Sequence, residues 1–159
     1  FIIKIYEHRE GITKKIKEAK PGDQWFITEP FGNIRYHKKG YFLAGGTGIT
    51  PFIAILRKLR KEGNLKGNML IFSNKTERDI ILKGELESMT KEGLLIVNTL
   101  TREKNPKYEN GRINESFLRK HIQEFSQYFY ICGPITFVGE LQHVLKKLGA
   151  DPDKIIVET

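Results

Sequence analysis

From Tyr41 onward, short apolar runs alternate with amphipathic segments, and this rhythm restricts the fold more than any other feature. The runs YFLAG, NMLIFSN, LLIVNTLT, YFYICG and KIIVE are almost continuously apolar and only a few residues long. Strands of that kind are buried on both faces, as in a parallel sheet covered by helices. The spacing predicts helices over 51–62, 79–90, 114–124 and 135–148. In the first of these, Phe52, Ile55, Leu56 and Leu59 fall on one face. The pattern predicts a doubly wound α/β domain with a five-stranded parallel sheet over residues 41–159. Residues 1–40 break the rhythm. FIIKIYEH and QWFITEP read as strands, GITKKIKEA as a short helix opened by Thr13, and FGNIRYHKKG as a loop, so this part reads as the remnant of a neighbouring antiparallel β domain.

Composition narrows the function classes. A chain of 159 residues with 39% hydrophobic content can bury one sizeable core and a second small lobe. No apolar run approaches the roughly 20 residues of a membrane span, and the opening FIIKIY is not the basic start of a signal peptide. The single cysteine, Cys132, excludes an internal disulfide framework and a cysteine-ligated zinc or iron–sulfur centre, so no metal site is expected and a cytoplasmic location is. The formal net charge of +8 reads either as a solvated basic surface or as a docking face for an acidic partner. Aromatic residues do not interleave with the basic ones, which argues against nucleic acid.

The strand YFLAG leaves through FLAGGTGITPF, three glycines followed at once by Thr-Pro. Ligands of doubly wound sheets bind beyond the carboxyl ends of the strands, where helices begin. Gly45, Gly46 and Gly48 allow positive φ and a close backbone approach, and the following helix offers its amino end to a phosphate. Pro51 suits a first helical turn, and Thr50 reads as the helix cap. The spacing matches neither G-x-G-x-x-G nor a Walker loop. A turn that merely lets helix and strand pack closely is the alternative reading of the same glycines.

GGTGITP, followed later by YICGP, resembles the ferredoxin–NADP⁺ reductase superfamily, which includes cytochrome b5 reductases and flavohaemoglobin reductase domains. The similarity covers essentially the whole chain: FIIKIY and GITKKI resemble the second half of the FAD-binding barrel, SNKTERDIIL the segment after the second strand, and KIIVET the C-terminus. The resemblance implies an FAD-containing NAD(P)H oxidoreductase that moves a hydride between a nicotinamide cofactor and FAD. Its partner would be a separate electron-transfer protein or a fused redox domain. The division implied is 1–40 for the end of the FAD-binding barrel and 41–159 for the NAD(P)-binding domain. The family's Arg-x-Tyr-Ser/Thr flavin motif and its C-terminal aromatic residue are both missing at the chain ends, and truncation at both ends is expected. A non-enzymatic nucleotide sensor or regulatory subunit of the same fold is the second reading.

The resemblance also implies roles. The glycine turn, Gly45 to Pro51 with Thr47 and Ile49, would hold the pyrophosphate. Thr50, Cys132, Gly133 and Pro134 would border the nicotinamide, and Glu158 would close the site near the flavin. Ile2, Lys4 and Tyr6 would contact the flavin, with Gly11, Ile12 and Thr13 at the FAD phosphates. The expected strand order is 3-2-1-4-5, which places the first and fourth strands side by side and brings the two turns to one cleft, as two contacts on one nucleotide require. Ser73, Asn74, Lys75 and Arg78 follow the second strand, Arg102 the third, and Arg112 lies in NGRI. Similar NADPH enzymes place basic residues at the positions of Lys75, Arg102 and Arg112, since guanidinium groups grip a 2′-phosphate bidentately. SNKTERDIIL resembles the NADH-using b5 reductases, so both nucleotides stay open.

Overall fold

The computed structural model describes residues 2–5, 11–29 and 32–158. The chain divides into two compact units, Phe1–Gly32 and Asn33–Thr159. In the first unit the regular element among the described residues is the short helix α1, Ile12–Ile16. Gly11, not Thr13, occupies its cap position, and no side chain caps it. The strands expected from FIIKIYEH and QWFITEP do not form at residues 2–5 and 24–29. A strand exists only as part of a backbone ladder with a second strand, and no such ladder forms at these described residues. Trp25, Phe26 and Ile27 are exposed. Tyr6 lies outside the described residues.

The second unit is a parallel sheet. Its elements are β1 (Gly40–Gly45), α2 (Thr50–Lys61), β2 (Met69–Asn74), α3 (Lys83–Lys91), β3 (Leu95–Leu100), β4 (Glu109–Asn110), α4 (Glu115–His121), β5 (Tyr128–Cys132), α5 (Ile135–Lys147) and β6 (Ile155–Glu158). The sheet runs β4-β3-β2-β1-β5-β6, every pair parallel. The five expected strands keep the order 3-2-1-4-5. What the sequence does not announce is β4, two polar residues at the edge. Pairing with β3 creates it, and the next residue is held there too: Gly111 N–H donates to the Leu100 carbonyl at 2.9 Å, and the Thr99 side-chain hydroxyl donates to the Gly111 carbonyl at 2.7 Å.

Two helices depart from expectation for local reasons. Instead of one helix over 79–90 there is a 3-10 turn, Glu77–Asp79, before α3. A reciprocal cap closes that turn, with Thr76 and Asp79 each meeting the other's backbone, and Leu82 at φ 54 then re-aims the chain into α3. A left-handed leucine breaks helical continuity at a cost of about 1–2 kcal/mol. Helix α4 stops at His121 because Ile122 turns extended and buries its side chain. Asn114 caps it by accepting the Phe117 N–H at 2.9 Å.

Alternation along the strands divides the core. Tyr41, Leu43, Ile71, Phe129 and Ile131 pack with Phe117 and Leu118 of α4 and Val138, Leu141 and Leu145 of α5. Phe42 points the other way and meets Phe52 of α2 edge-on, ring centroids 5.2 Å apart. The amino end of β1 is pinned by two buried polar groups. Asn68 Oδ1 accepts the Gly40 N–H at 3.2 Å. Tyr130, wholly buried, accepts the N–H groups of His37 and Lys38 at 2.9 and 3.0 Å and donates to the Lys38 carbonyl at 2.8 Å.

Removing that hydroxyl leaves three backbone groups without their partner. Tyr130→Phe should therefore lower unfolding free energy by about 1–3 kcal/mol, read as a shift of the urea midpoint at constant slope.

Candidate functional site

The carboxyl ends of β1 and β5 lie side by side, with Ala44 opposite Cys132. Beyond β1 the chain enters a 3-10 turn, Gly46–Ile49, which runs directly into α2. Thr50 is the first residue of that helix rather than its cap. Ile49 holds the cap position in helical geometry, and no side chain caps the helix. The 3-10 turn explains the difference: it already bends the backbone into helical angles, so no extended cap residue is needed. The amino end of α2 keeps its partial positive charge without an internal side-chain acceptor, and Pro51 sits in the first turn as expected.

The glycines divide the work between them. A Cβ on Gly48 would lie 2.1 Å from the Cys132 carbonyl oxygen and 2.6 Å from the Gly133 nitrogen. A Cβ on Gly45 would lie 3.1 Å from the Phe137 ring, and one on Gly133 would lie 2.8 Å from the same ring. These three glycines let the two turns touch backbone to backbone, with Phe137 of α5 packed over the junction. Gly46 differs: φ is 56°, and a Cβ there would meet nothing within 4 Å. The close-packing reading thus accounts for Gly45 and Gly48, while Gly46 gives an open, left-handed corner where a phosphate can reach the backbone.

Cys132 is buried at the end of β5, and Gly133 and Pro134 lead into α5 with Pro134 at its cap position. Burial first, and the nearby Glu158 carboxylate second, push the thiol up to about 11. It is a neutral thiol at physiological pH, so it can border a ring as a small apolar group. Glu158 ends β6 directly opposite Cys132.

A cavity of about 160 Å³ lies beside the two turns, lined by Ser73, Thr101, Arg112, Pro134, Thr136 and Glu140 among others. Ser73 and Arg112 were legible in the sequence; Thr101, Thr136, Phe137 and Glu140 were not. Thr136 and Phe137 closely follow Cys-Gly-Pro, and that proximity is the signal that would have found them. Asn74, buried at the end of β2, takes Thr101 N–H and Oγ1 on its backbone carbonyl at 2.9 and 3.2 Å. Its side-chain amide has no hydrogen-bond partner among the described residues.

Lys75, Arg78 and Arg102 are exposed on the loops after β2 and β3, and the Arg102 N–H donates to the Lys75 carbonyl at 2.9 Å. Glu77 ties these loops together. Its Oε1 accepts from Lys83 Nζ at 2.6 Å and from the Tyr108 hydroxyl at 2.8 Å, and its Oε2 accepts from Asn105 Nδ2 at 2.9 Å. The Lys83 hydrogen bond, then the Tyr108 one, hold the Glu77 carboxyl below its usual range. Ile2, Lys4, Gly11, Ile12 and Thr13 belong to the first unit. They form no strand, and α1 has a single turn and a half of helix without a side-chain cap.

Residues 42–143 match the family described as "Oxidoreductase NAD-binding domain". NADH-cytochrome b5 reductase 2 of Homo sapiens is 30% identical over 97% of this chain and 69% of its own length. The chain belongs to the ferredoxin–NADP⁺ reductase superfamily and is cytochrome b5 reductase-like. The namesake from Mycosarcoma maydis is 28% identical, and the chain spans 51% of its length. Among solved structures, the CS-b5R domains of human Ncb5or in the NAD⁺ form superpose with a TM-score of 0.85 at 26% identity, over 99% of this chain and 48% of that one. The cytochrome b5 reductase domain of Ulva prolifera nitrate reductase gives the same TM-score of 0.85 at 21% identity, over 99% and 71%, a likeness of fold.

The two kinds of glycine in this reductase-like domain separate under substitution. Gly48→Ala drives a methyl into the Cys132 carbonyl and should cost about 3 kcal/mol or more. Gly46→Ala meets open space and should cost only the left-handed penalty, about 1–2 kcal/mol; urea unfolding of the two variants checks the ranking. The Cys132 thiol should alkylate slowly at pH 6 to 8, its rate rising about tenfold per pH unit with the thiolate fraction and levelling off only above about 11.

Proposed function

We propose that this chain is the nicotinamide-binding part, with the adjoining end of the FAD-binding lobe, of an oxidoreductase that transfers a hydride from NAD(P)H to FAD. The electrons pass on to a redox partner such as cytochrome b5 or a fused redox domain. The observation that carries the reading is the backbone contact between the Gly46–Ile49 turn and the Cys132–Pro134 turn at one sheet edge. A dinucleotide needs such a paired site, with phosphates at an open helix amino end and its reactive ring a short distance away. The relatives are reductases by name, which favours the enzymatic reading over a sensor. A cytoplasmic place of action is supported by the one cysteine, which is free and buried.

The residues present fit the nicotinamide cofactor. Gly46 and the start of α2 would receive the pyrophosphate, and the cavity of Ser73, Thr101, Arg112 and Thr136 would take a polar part of the adenosine half. Thr50 and the neutral Cys132 would border the nicotinamide without charge. Lys75, Arg102 and Arg112 are the cations available to a 2′-phosphate. For FAD, Ile2, Lys4, Gly11, Ile12 and Thr13 remain the candidates of the first unit, together with Tyr6. FAD supplies the chemistry the side chains lack: it accepts two electrons together and releases them singly. The protein's part is to hold the nicotinamide at the right place and to keep water away, because hydride transfer depends steeply on alignment.

The test is anaerobic mixing of the full-length, FAD-loaded protein with NADH or NADPH, followed by the loss of flavin absorbance. Rapid bleaching with either nucleotide is expected; no bleaching with both would end the proposal. Gly46→Val should weaken nucleotide binding at least tenfold while leaving flavin content unchanged, because the added side chain fills the corner that the phosphate approaches. Replacing both Arg102 and Arg112 with alanine should hurt NADPH more than NADH. A charge-assisted hydrogen bond is worth about 1.5–3 kcal/mol, so the loss in discrimination should be about tenfold or more. Equal weakening of both nucleotides would return these arginines to the solvated surface.

A further inference from the structure

Glu158 ends β6 at the carboxyl edge of the sheet, opposite Cys132. Its Oε2 accepts the N–H of Asn33 at 3.1 Å and the N–H of Ile34 at 3.2 Å. Asn33 is the first residue of the sheet unit, and sequence distances of 125 and 124 residues separate the partners. One carboxylate oxygen therefore joins the first residues of this unit to its last strand, at the strand end beside the Cys-Gly-Pro turn. Hydrogen bonds from N–H groups to a carboxylate are roughly twice as strong as those between neutral groups. The resemblance assigns Glu158 to closing the site, which leaves two distinct possibilities: that its charge matters, or that its place as an acceptor does.

We infer that Glu158 is a positioning residue: its carboxylate fastens Asn33 and Ile34 to the strand end beside Cys132 and so fixes the edge against which the nicotinamide is held. This rests on the hydride-transfer reading above. Accepting two backbone N–H groups commits one oxygen to structure. A hydride leaves the nicotinamide with its electron pair, and that step needs no proton from Glu158. Register carries the effect to the site, because Glu158 pairs with Cys132 and Cys132 pairs with Ala44, the residue before the glycine turn begins. Loosening the anchor lets the outer strand end and the first residues of the unit drift together, and a misplacement of about 1 Å can cost roughly a hundredfold in rate.

The experiment compares Glu158→Gln and Glu158→Ala in the full-length, FAD-loaded protein, using amide hydrogen exchange and stopped-flow flavin reduction at saturating nucleotide. Glutamine removes the charge but keeps an acceptor oxygen in nearly the same place. With Gln, the amides of Asn33 and Ile34 should stay protected and flavin reduction should fall by no more than about threefold. With Ala, both amides should exchange faster and reduction should slow by about tenfold to a hundredfold, while nucleotide affinity changes by less than about threefold. Gln as slow as Ala, with its amides still protected, would show that the charge acts directly and overturn the inference. Unchanged exchange in Ala would overturn it as well. If the wild-type protein shows no flavin reduction by either nucleotide, the reaction reading falls and the positioning role with it, whereas the exchange result still reports separately on the anchor.

Discussion

Everything at the candidate site depends on one backbone-to-backbone contact. Gly48 stands so close to the Cys132 carbonyl that no side chain fits between them. The contact exists because β1 and β5, far apart in sequence, are neighbours in the sheet. Parallel strands point their carboxyl ends the same way, so their neighbouring exits share one edge, and a right-handed crossover helix must follow each of them. Phe137, at the start of the second of these helices, packs its ring against Gly45 and Gly133 and fills what the glycines leave.

Around this contact the frame is held at both ends of β1. At the amino end, Tyr130 and Asn68 satisfy backbone groups of the segment that leads into the strand. Such buried, fully paired polar groups fix a single arrangement, since any shift strands a donor or acceptor away from water. Outside the sheet, Arg57 grips Glu85 bidentately at 2.7 and 2.8 Å and ties α2 to α3. Arg60 pairs with Glu92 on the same side. These pairs are exposed enough that their contribution is small; they set the register of two helices more than they stabilise them.

Charge at the carboxyl edge is arranged by position. The glycine corner and the Cys132 turn carry no ionised side chain of their own, and the thiol stays neutral. The cations Lys75, Arg78 and Arg102 stand on loops cross-linked by Glu77, whose carboxylate is occupied by Lys83, Tyr108 and Asn105. With Glu77 engaged in this way, the loop cations face solvent rather than that carboxylate. An open helix amino end at the same sheet edge as such cations is suited to an anionic dinucleotide.

The sequence by itself determined the parallel sheet, its covering helices and the two turns of the candidate site. Uninterrupted apolar runs such as MLIF and FYIC, only a few residues long and alternating with amphipathic segments, suit strands buried on both faces, and GGTGITP and CGP follow two of them directly. The expected order 3-2-1-4-5 sets those two exits side by side, as the structure does. Tertiary structure alone decided which glycine does what, because Gly46 and Gly48 look alike in one dimension and differ in backbone angle and in what lies within 4 Å. It also decided that Thr50 begins α2 instead of capping it, that Leu82 splits a helix, and that two polar residues become β4. The tether from Glu158 to Asn33 and Ile34 spans almost the whole second unit. Local propensity cannot reveal such a contact, since it reads neighbours along the chain, while a carboxylate bonds whichever N–H groups the folded sheet brings to it.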